Sequence, residues 1–391
     1  MEHFITNIHI DKLRHLENLE IELSTNERRH LLLTGKNGSG KTSFIEALQT
    51  NLYAINRSHW DIYHRYTADE TKRNSSTFKS HYASYDSGVN IVFNFDSDLD
   101  QAFSQGKFIT AYFPADRKSN VSMAKGVEDL KFLNNYNFSD NLDKNLVKYM
   151  VHLKTQQAYA RQAGDSKVET DIQNWFNRFE DALGTLLEDE NIRLEYDYKN
   201  YNFLIHKTGR LPFGFNELSD GYSSVIQIMT GIMLRMEQNW LLKGNLNEYN
   251  FEGVVLIDEL ETHLHIELQR KILPFLTKFF PRVQFIISTH SPYILTSVPN
   301  ATIFDLEKKV TFNNMSNYSI NNVAEAYFDS EDFSIELEEK LVEYKSLIEK
   351  SDPTTEERIR RAELRTEFKN LNSTLSPRIK NDFEELESRR Q

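Results

Sequence analysis

Hydrophobic residues along this chain fall into two rhythms. Short unbroken apolar runs, "RHLLLT" at 29–34 and "GVVLI" at 253–257, read as strands buried on both faces, and "VQFIIS" at 283–288 repeats the plan. Elsewhere the apolar positions recur every three or four residues. Phe44, Ala47, Leu48 and Leu52 in "TSFIEALQTNLYA" mark one helix, and Trp175, Phe176 and Phe179 mark another. Val225, Ile226, Ile228, Met229, Ile232 and Met233 mark a third, strongly apolar one. The opening "MEHFITNIHI" alternates apolar and polar like a strand with one wet face. Buried strands interleaved with amphipathic helices make an α/β pattern.

Between the first buried strand and its helix lies "GKNGSGKTS", residues 35–43. Gly35, Gly40, Lys41 and Thr42 fill the spacing Gly-x-x-x-x-Gly-Lys-[Ser/Thr], and Lys36, Asn37, Gly38, Ser39 and Ser43 complete the loop. Glycines let backbone N–H groups turn inward as an anion nest. The helix that follows points its positive end at the same place. Lys41 is expected on the β- and γ-phosphates of a nucleotide, and Thr42 on Mg²⁺. The fold class expected is therefore an α/β P-loop NTPase.

The other two strands end in chemistry. "GVVLIDELETHLH" (253–265) places Asp258 and Glu259 at a strand's C-terminal end, where open α/β sheets hold ligands. Asp258 is the expected Mg²⁺ partner, and Glu259 is placed to orient or deprotonate water. "VQFIISTHSPYIL" ends in Ser288, Thr289 and His290, and His290 is placed to sense a γ-phosphate. His263 and His265 stand at the start of a helix and are assigned no metal. "NELSDGYSSVIQIMTGIML" (216–234) puts Ser219 in the capping position of the third helix, whose free amides suit an anion.

Composition narrows the picture. The chain has 391 residues, 39% hydrophobic and 12% aromatic, enough for a real core and for roughly two or three domains. No cysteine is present, which excludes disulfides, thiolate zinc sites and a cysteine nucleophile. No apolar run approaches the ~18 to 20 residues that span a bilayer. A soluble, cytoplasmic protein without membrane association is expected. Net charge is −12, so any nucleic acid would need a local basic patch or a partner protein.

Phosphate loop, signature-like segment, acidic strand and histidine strand occur in the order found in ABC-type ATPases. The chain resembles the soluble branch of that family, which includes the RecF, SMC and OLD-like enzymes. "LSDGYSS" departs from the transporter form LSGGQ and is similar to OLD-like variants. The resemblance implies an ATPase head in which two copies sandwich ATP and Mg²⁺. Ser219 and Gly221 of one copy would then act on the nucleotide of the other. The active unit would be a homodimer or higher homo-oligomer, with slow hydrolysis of ATP. Arg14 in "DKLRHLENL" matches an arginine that approaches nucleotide in these heads. Gln49, Gln101 and Gln105 are all open candidates for the family's glutamine-bearing loop. As a stand-alone ATPase, the chain resembles subunits of bacterial anti-phage systems of the Septu, retron-associated and PARIS types. That implies a separate effector, a nuclease or toxin; the alternatives are a RecF- or SMC-like DNA-repair ATPase and an ATP-loaded structural scaffold with little turnover.

The expected organisation is an ABC-type ATPase domain over 1–315, with a helical insert at about 120–190, and an α-helical appendage over 316–391. "FITAYFPADRKSN" (108–120) reads as a strand and a basic loop, whose Arg117 and Lys118 face nucleotide, partner or solvent. In the appendage Leu337, Leu341, Tyr344 and Ile348 form a seam suited to a partner helix, so the appendage is expected either to pack on its own ATPase core or to mediate assembly.

Overall fold

The computed structural model describes residues 2–67, 70–73, 75–95, 98–117, 121–128, 136–138, 140–237, 251–316, 335–350, 353–370 and 377–388. They fall into two compact units, Met1–Ile320 and Asn321–Gln391. Lys118 and the side chain of Leu337 lie outside the described residues.

The first unit is built on a six-stranded sheet in the order β11-β10-β3-β9-β8-β5. Its strands are β3 (His30–Thr34), β5 (Phe108–Phe113), β8 (Glu252–Ile257), β9 (Val283–Ser288), β10 (Ala301–Asp305) and β11 (Val310–Asn313). All pairings are parallel except β10 with β11. Every residue of β3, β9 and β10 is buried, as unbroken apolar runs require of a sheet covered on both faces.

A second, antiparallel sheet, β2-β1-β4, uses β1 (Ile5–Leu13), β2 (Leu16–Glu22) and β4 (Val89–Phe93). The helix Lys41–Asn56 shares one core with both sheets, burying Phe44, Ile45, Leu48, Leu52 and Ile55. Gln284 stitches the layers from the second position of β9. Its Oε1 accepts the Ile5 N–H at 2.7 Å, and its Nε2 donates to the Ile5 carbonyl at 2.9 Å and to the Arg29 carbonyl at 2.7 Å. A buried amide with its bonds satisfied holds register, where an unpaired one would be costly.

Helices Leu146–Ala163 and Ser166–Leu187 lie in the stretch expected as an insert, followed by the hairpin of β6 (Arg193–Asp197) and β7 (Asn202–His206). Gly164 takes φ 76° to end the first helix, and Asp165 caps the second by accepting the Val168 N–H at 3.1 Å. Trp175, Phe176 and Phe179 are buried together, with Trp175 stacked on Phe179 at 5.2 Å.

The second unit holds helices Ile335–Glu349, Thr355–Asn370 and Pro377–Ser388. They close on Tyr344, Leu347, Leu364, Phe368, Phe383 and Leu386, with Leu341 and Ile348 packed against them. Of the expected seam, Leu341, Tyr344 and Ile348 pack among these three helices. Complementary apolar stripes on one short chain meet each other first, because closing a short loop costs little.

Candidate active site at the sheet's C-terminal edge

Strand register brings four loops to one edge. Thr34 ends β3 beside Asp305 of β10, and Leu33 pairs with Ser288 of β9. Ile287 pairs with Ile257 of β8, which pairs with Phe113 of β5. The loops that leave these ends contain the phosphate-loop glycines, the acidic pair, the histidine and Arg117.

In the phosphate loop Gly35, Gly38 and Gly40 take φ of 134°, 85° and 95°. At Gly35 a Cβ would also lie 2.8 Å from Ser39 Oγ. The helix begins at Lys41 with Gly40 as its cap and no side-chain cap bond, so its first amides remain available to an anion. Lys41 is buried and donates from Nζ to the carbonyls of Gly35 at 2.8 Å and Lys36 at 3.2 Å. Burial pushes its pKa down, against Glu259, Glu261, Asp258 and Asp305, which favour the charged form. The Lys36 N–H donates to Glu307 Oε2 at 3.4 Å. Asn37 and Thr42 are exposed, and Ser43 is half-buried. Ser39 Oγ is buried without a hydrogen-bond partner. The β1–β2 turn borders this loop: a Cβ on Gly40 would meet His15 Cε1 at 3.4 Å. Arg14, exposed and at φ 55°, precedes that histidine.

The acidic and histidine ends are tied to each other. Ser288 Oγ donates to buried Asp258 and accepts the Glu259 N–H at 2.7 Å. Glu259 stands in the left-handed region at φ 45°, a conformation that costs a side-chain-bearing residue about 1–2 kcal/mol. Glu261 accepts from Thr289 Oγ1 at 2.7 Å and from the His290 N–H, and burial raises its pKa. Burial first, and then nearby Lys41, lowers the pKa of His290, so its ring is neutral at pH 7. Its Nε2 is buried without a partner. An unbonded ring nitrogen, an orphan hydroxyl and a glycine cradle fit the oxygen-rich triphosphate of a nucleotide. Thr42 and Asp258 carry oxygen donors of the hard kind that would suit Mg²⁺ beside phosphate.

The helix Asp220–Met236 meets the same edge through Ser224, bonded to Arg117, and Gly221, set against His263. Ser219 does not cap it with its side chain, contrary to expectation. Its carbonyl still accepts the Ser223 N–H at 2.9 Å, so the backbone alone starts the helix and the exposed hydroxyl is left over. Gly221 is buried against the turn after the acidic strand: a Cβ there would lie 2.6 Å from the His263 carbonyl oxygen.

Arg117 faces neither solvent nor an open site. It is fully buried, and burial lowers its pKa to about 10. The guanidinium donates to the carbonyls of Pro114 at 2.6 Å, Asp258, Glu259 at 2.8 Å and Leu260 at 3.4 Å, and to Ser224 Oγ at 3.0 Å. Gln49 sits in the helix after the phosphate loop, and Gln101 and Gln105 precede β5, so none stands at the strand ends. Sequence reasoning gave no role to Glu261 and left Arg117 open. Their bonds reach residues distant in sequence, and no local pattern announces them.

Comparison with known proteins agrees with this geometry. The family model described as "AAA domain, putative AbiEii toxin, Type IV TA system" matches residues 31–296. The Septu protein PtuA of Bacillus thuringiensis is 29% identical over 206 residues, 42% of this chain and 52% of that protein. PtuA of Bacillus mycoides (strain KBAB4) is 24% identical over 306 residues, 75% of this chain and 39% of that protein. The Retron Vc95 probable ATPase of Vibrio cholerae serotype O1 biovar El Tor is 42% identical over 87 residues, 22% of this chain and 16% of that protein. The chain spans about half, or less, of the length of these relatives. Among solved structures, the SmcHead bound to the C-winged helix domain of ScpA covers 77% of this chain and 93% of that one, at 10% identity and a TM-score of 0.38. No helix among the described residues is long and apolar enough to cross a membrane. With more than half its length matched, and with the phosphate loop, acidic strand and histidine strand meeting at one sheet edge, the chain belongs to this AAA-domain family of P-loop ATPases, whose loop implies ATP binding.

Proposed function

We propose that this protein is a slow ATP-hydrolysing switch that assembles through its ATPase heads and controls a separate effector, a nuclease or toxin, in bacterial anti-phage defence. The observation that carries the reading is the convergence of Lys41, Asp258, Glu259 and His290 at one sheet edge, where Ser288 ties Asp258 to the Glu259 backbone. Lys41 would exchange its two loop carbonyls for phosphate oxygens. Thr42 and Asp258 would hold Mg²⁺, which neutralises phosphate charge when bound. Glu259 would orient or deprotonate the attacking water, and neutral His290 would hydrogen-bond the terminal phosphate. Arg14 would add a cation from the β1–β2 turn.

Ser219 and Gly221 would complete the site of a second copy. The free hydroxyl of Ser219 at an exposed helix start supports that assignment. The relatives named Septu PtuA and retron probable ATPase support the defence role, and the separate effector is what the resemblance to such stand-alone ATPases implies. The test is Glu259→Gln. Hydrolysis is expected to fall at least about a hundredfold, the usual worth of a general base, with ATP binding retained. Light scattering of that variant should then show an ATP-dependent rise in mass. Unchanged turnover would remove Glu259 from the chemistry.

A further inference from the structure

The most deeply buried charge beside the site is one the proposed chemistry does not use. Arg117 reaches the edge from the loop after β5, and its five N–H donors meet five acceptors. Three of those acceptors are the consecutive carbonyls of Asp258, Glu259 and Leu260. Consecutive carbonyls of a strand point to opposite sides. Here the left-handed turn at Glu259 breaks that alternation, and all three reach one guanidinium. The fifth acceptor is Ser224 Oγ, one turn into the helix that begins after Ser219. Gly221 in the same helix leans on the backbone of His263, in the turn that follows the same acids. The helix that would meet a second copy is therefore tied to the backbone of the proposed general base by a fork of hydrogen bonds, and it also abuts the turn that follows.

We infer that Arg117 is a positioning residue that couples the Ser219-bearing helix to Glu259, so that docking of a second copy on that helix sets the carboxylate for hydrolysis. The inference rests on the ATPase reading above. A lysine cannot replace the fork: its single ammonium has three donors for acceptors spread over two planar nitrogens and a third. Removing the Ser224 hydroxyl cuts the bond to the helix while leaving the four carbonyl bonds in place.

The test compares Ser224→Ala, Arg117→Lys and the double variant with the wild type and with Glu259→Gln. Three quantities are read: the Kd for a fluorescent ATP analogue, kcat with KM for ATP, and the thermal midpoint. Ser224→Ala should bind the analogue within about twofold of wild type and keep its KM, while kcat falls about tenfold or more, as for loss of an interaction made only in the transition state. The double variant should be no slower than Arg117→Lys alone, the signature of two groups acting as one link. Wild-type kcat in Ser224→Ala would overturn the coupling, even with Glu259→Gln inactive and the ATPase reading intact. A parallel loss of binding, kcat and thermal midpoint would also overturn it, by showing a purely structural role. A wild-type protein that turns over no ATP would overturn the ATPase reading and this inference together.

Discussion

At the residue scale, what decides the site is how few positions tolerate an extra atom. Gly221 has an ordinary φ, yet its neighbour across the gap is a backbone carbonyl at 2.6 Å from where a Cβ would sit. Backbone cannot rotate away as a side chain can. Gly221→Ala should therefore cost about 1–3 kcal/mol, the usual penalty of overpacking, measured as a lower urea midpoint. An unchanged midpoint would mean that the helix and the 258–264 turn are not in contact. Lys41, Thr42, Asp258 and His290 can be placed at the sheet edge from sequence because each sits at a fixed offset from a strand end or glycine. Glu261 and Arg117 cannot. Glu261 reads as one more acid in "DELE", and only its bonds to Thr289 and His290 separate it from Glu259. The capping role read for Ser219 failed for a related reason, since spacing names a capping position but not where its hydroxyl turns.

At the scale of elements, the buried strands were visible as apolar runs, but the joint between the sheets was not. Gln284 looks like an interruption of an apolar run and is in fact the stitch to β1. His30 is a second hidden joint. It is buried at the start of β3, and its Nδ1 accepts the Phe285 N–H at 3.1 Å. That bond requires the neutral ring, and burial lowers the pKa from 6.5 to about 3. The unfolded chain therefore takes up a proton between those values that the folded chain refuses. The stability contributed is complete above pH 6.5 and is lost as pH falls toward 3. Between pH 7.5 and 5 the wild type should lose about 1–2 kcal/mol more than His30→Gln, in urea titrations at both pH values. Parallel profiles for the two proteins would contradict this placement of His30.

At the scale of the whole molecule, two units each close their own core, one on paired sheets around the phosphate-loop helix and one on three helices. The charged, helical composition of the C-terminal stretch made its character legible. Its seam is open in sequence, because a stripe does not say whose helix covers it, and Leu341, Tyr344 and Ile348 lie among the unit's own helices. The larger proposal is that the first unit is half of a site. Lys41, Asp258, Glu259 and His290 gather on one chain, whereas Ser219 stands exposed at the start of its helix, free to serve another. Mixing two inactive variants tests this most directly. Lys41→Ala lacks the phosphate contact and keeps Ser219; Ser219→Arg keeps the phosphate loop and blocks the helix start. If the site is shared across a two-fold axis, an equal mixture should recover about a quarter of wild-type ATP hydrolysis, because half of the dimers would then hold one complete site. A mixture no more active than its two components would contradict the shared site.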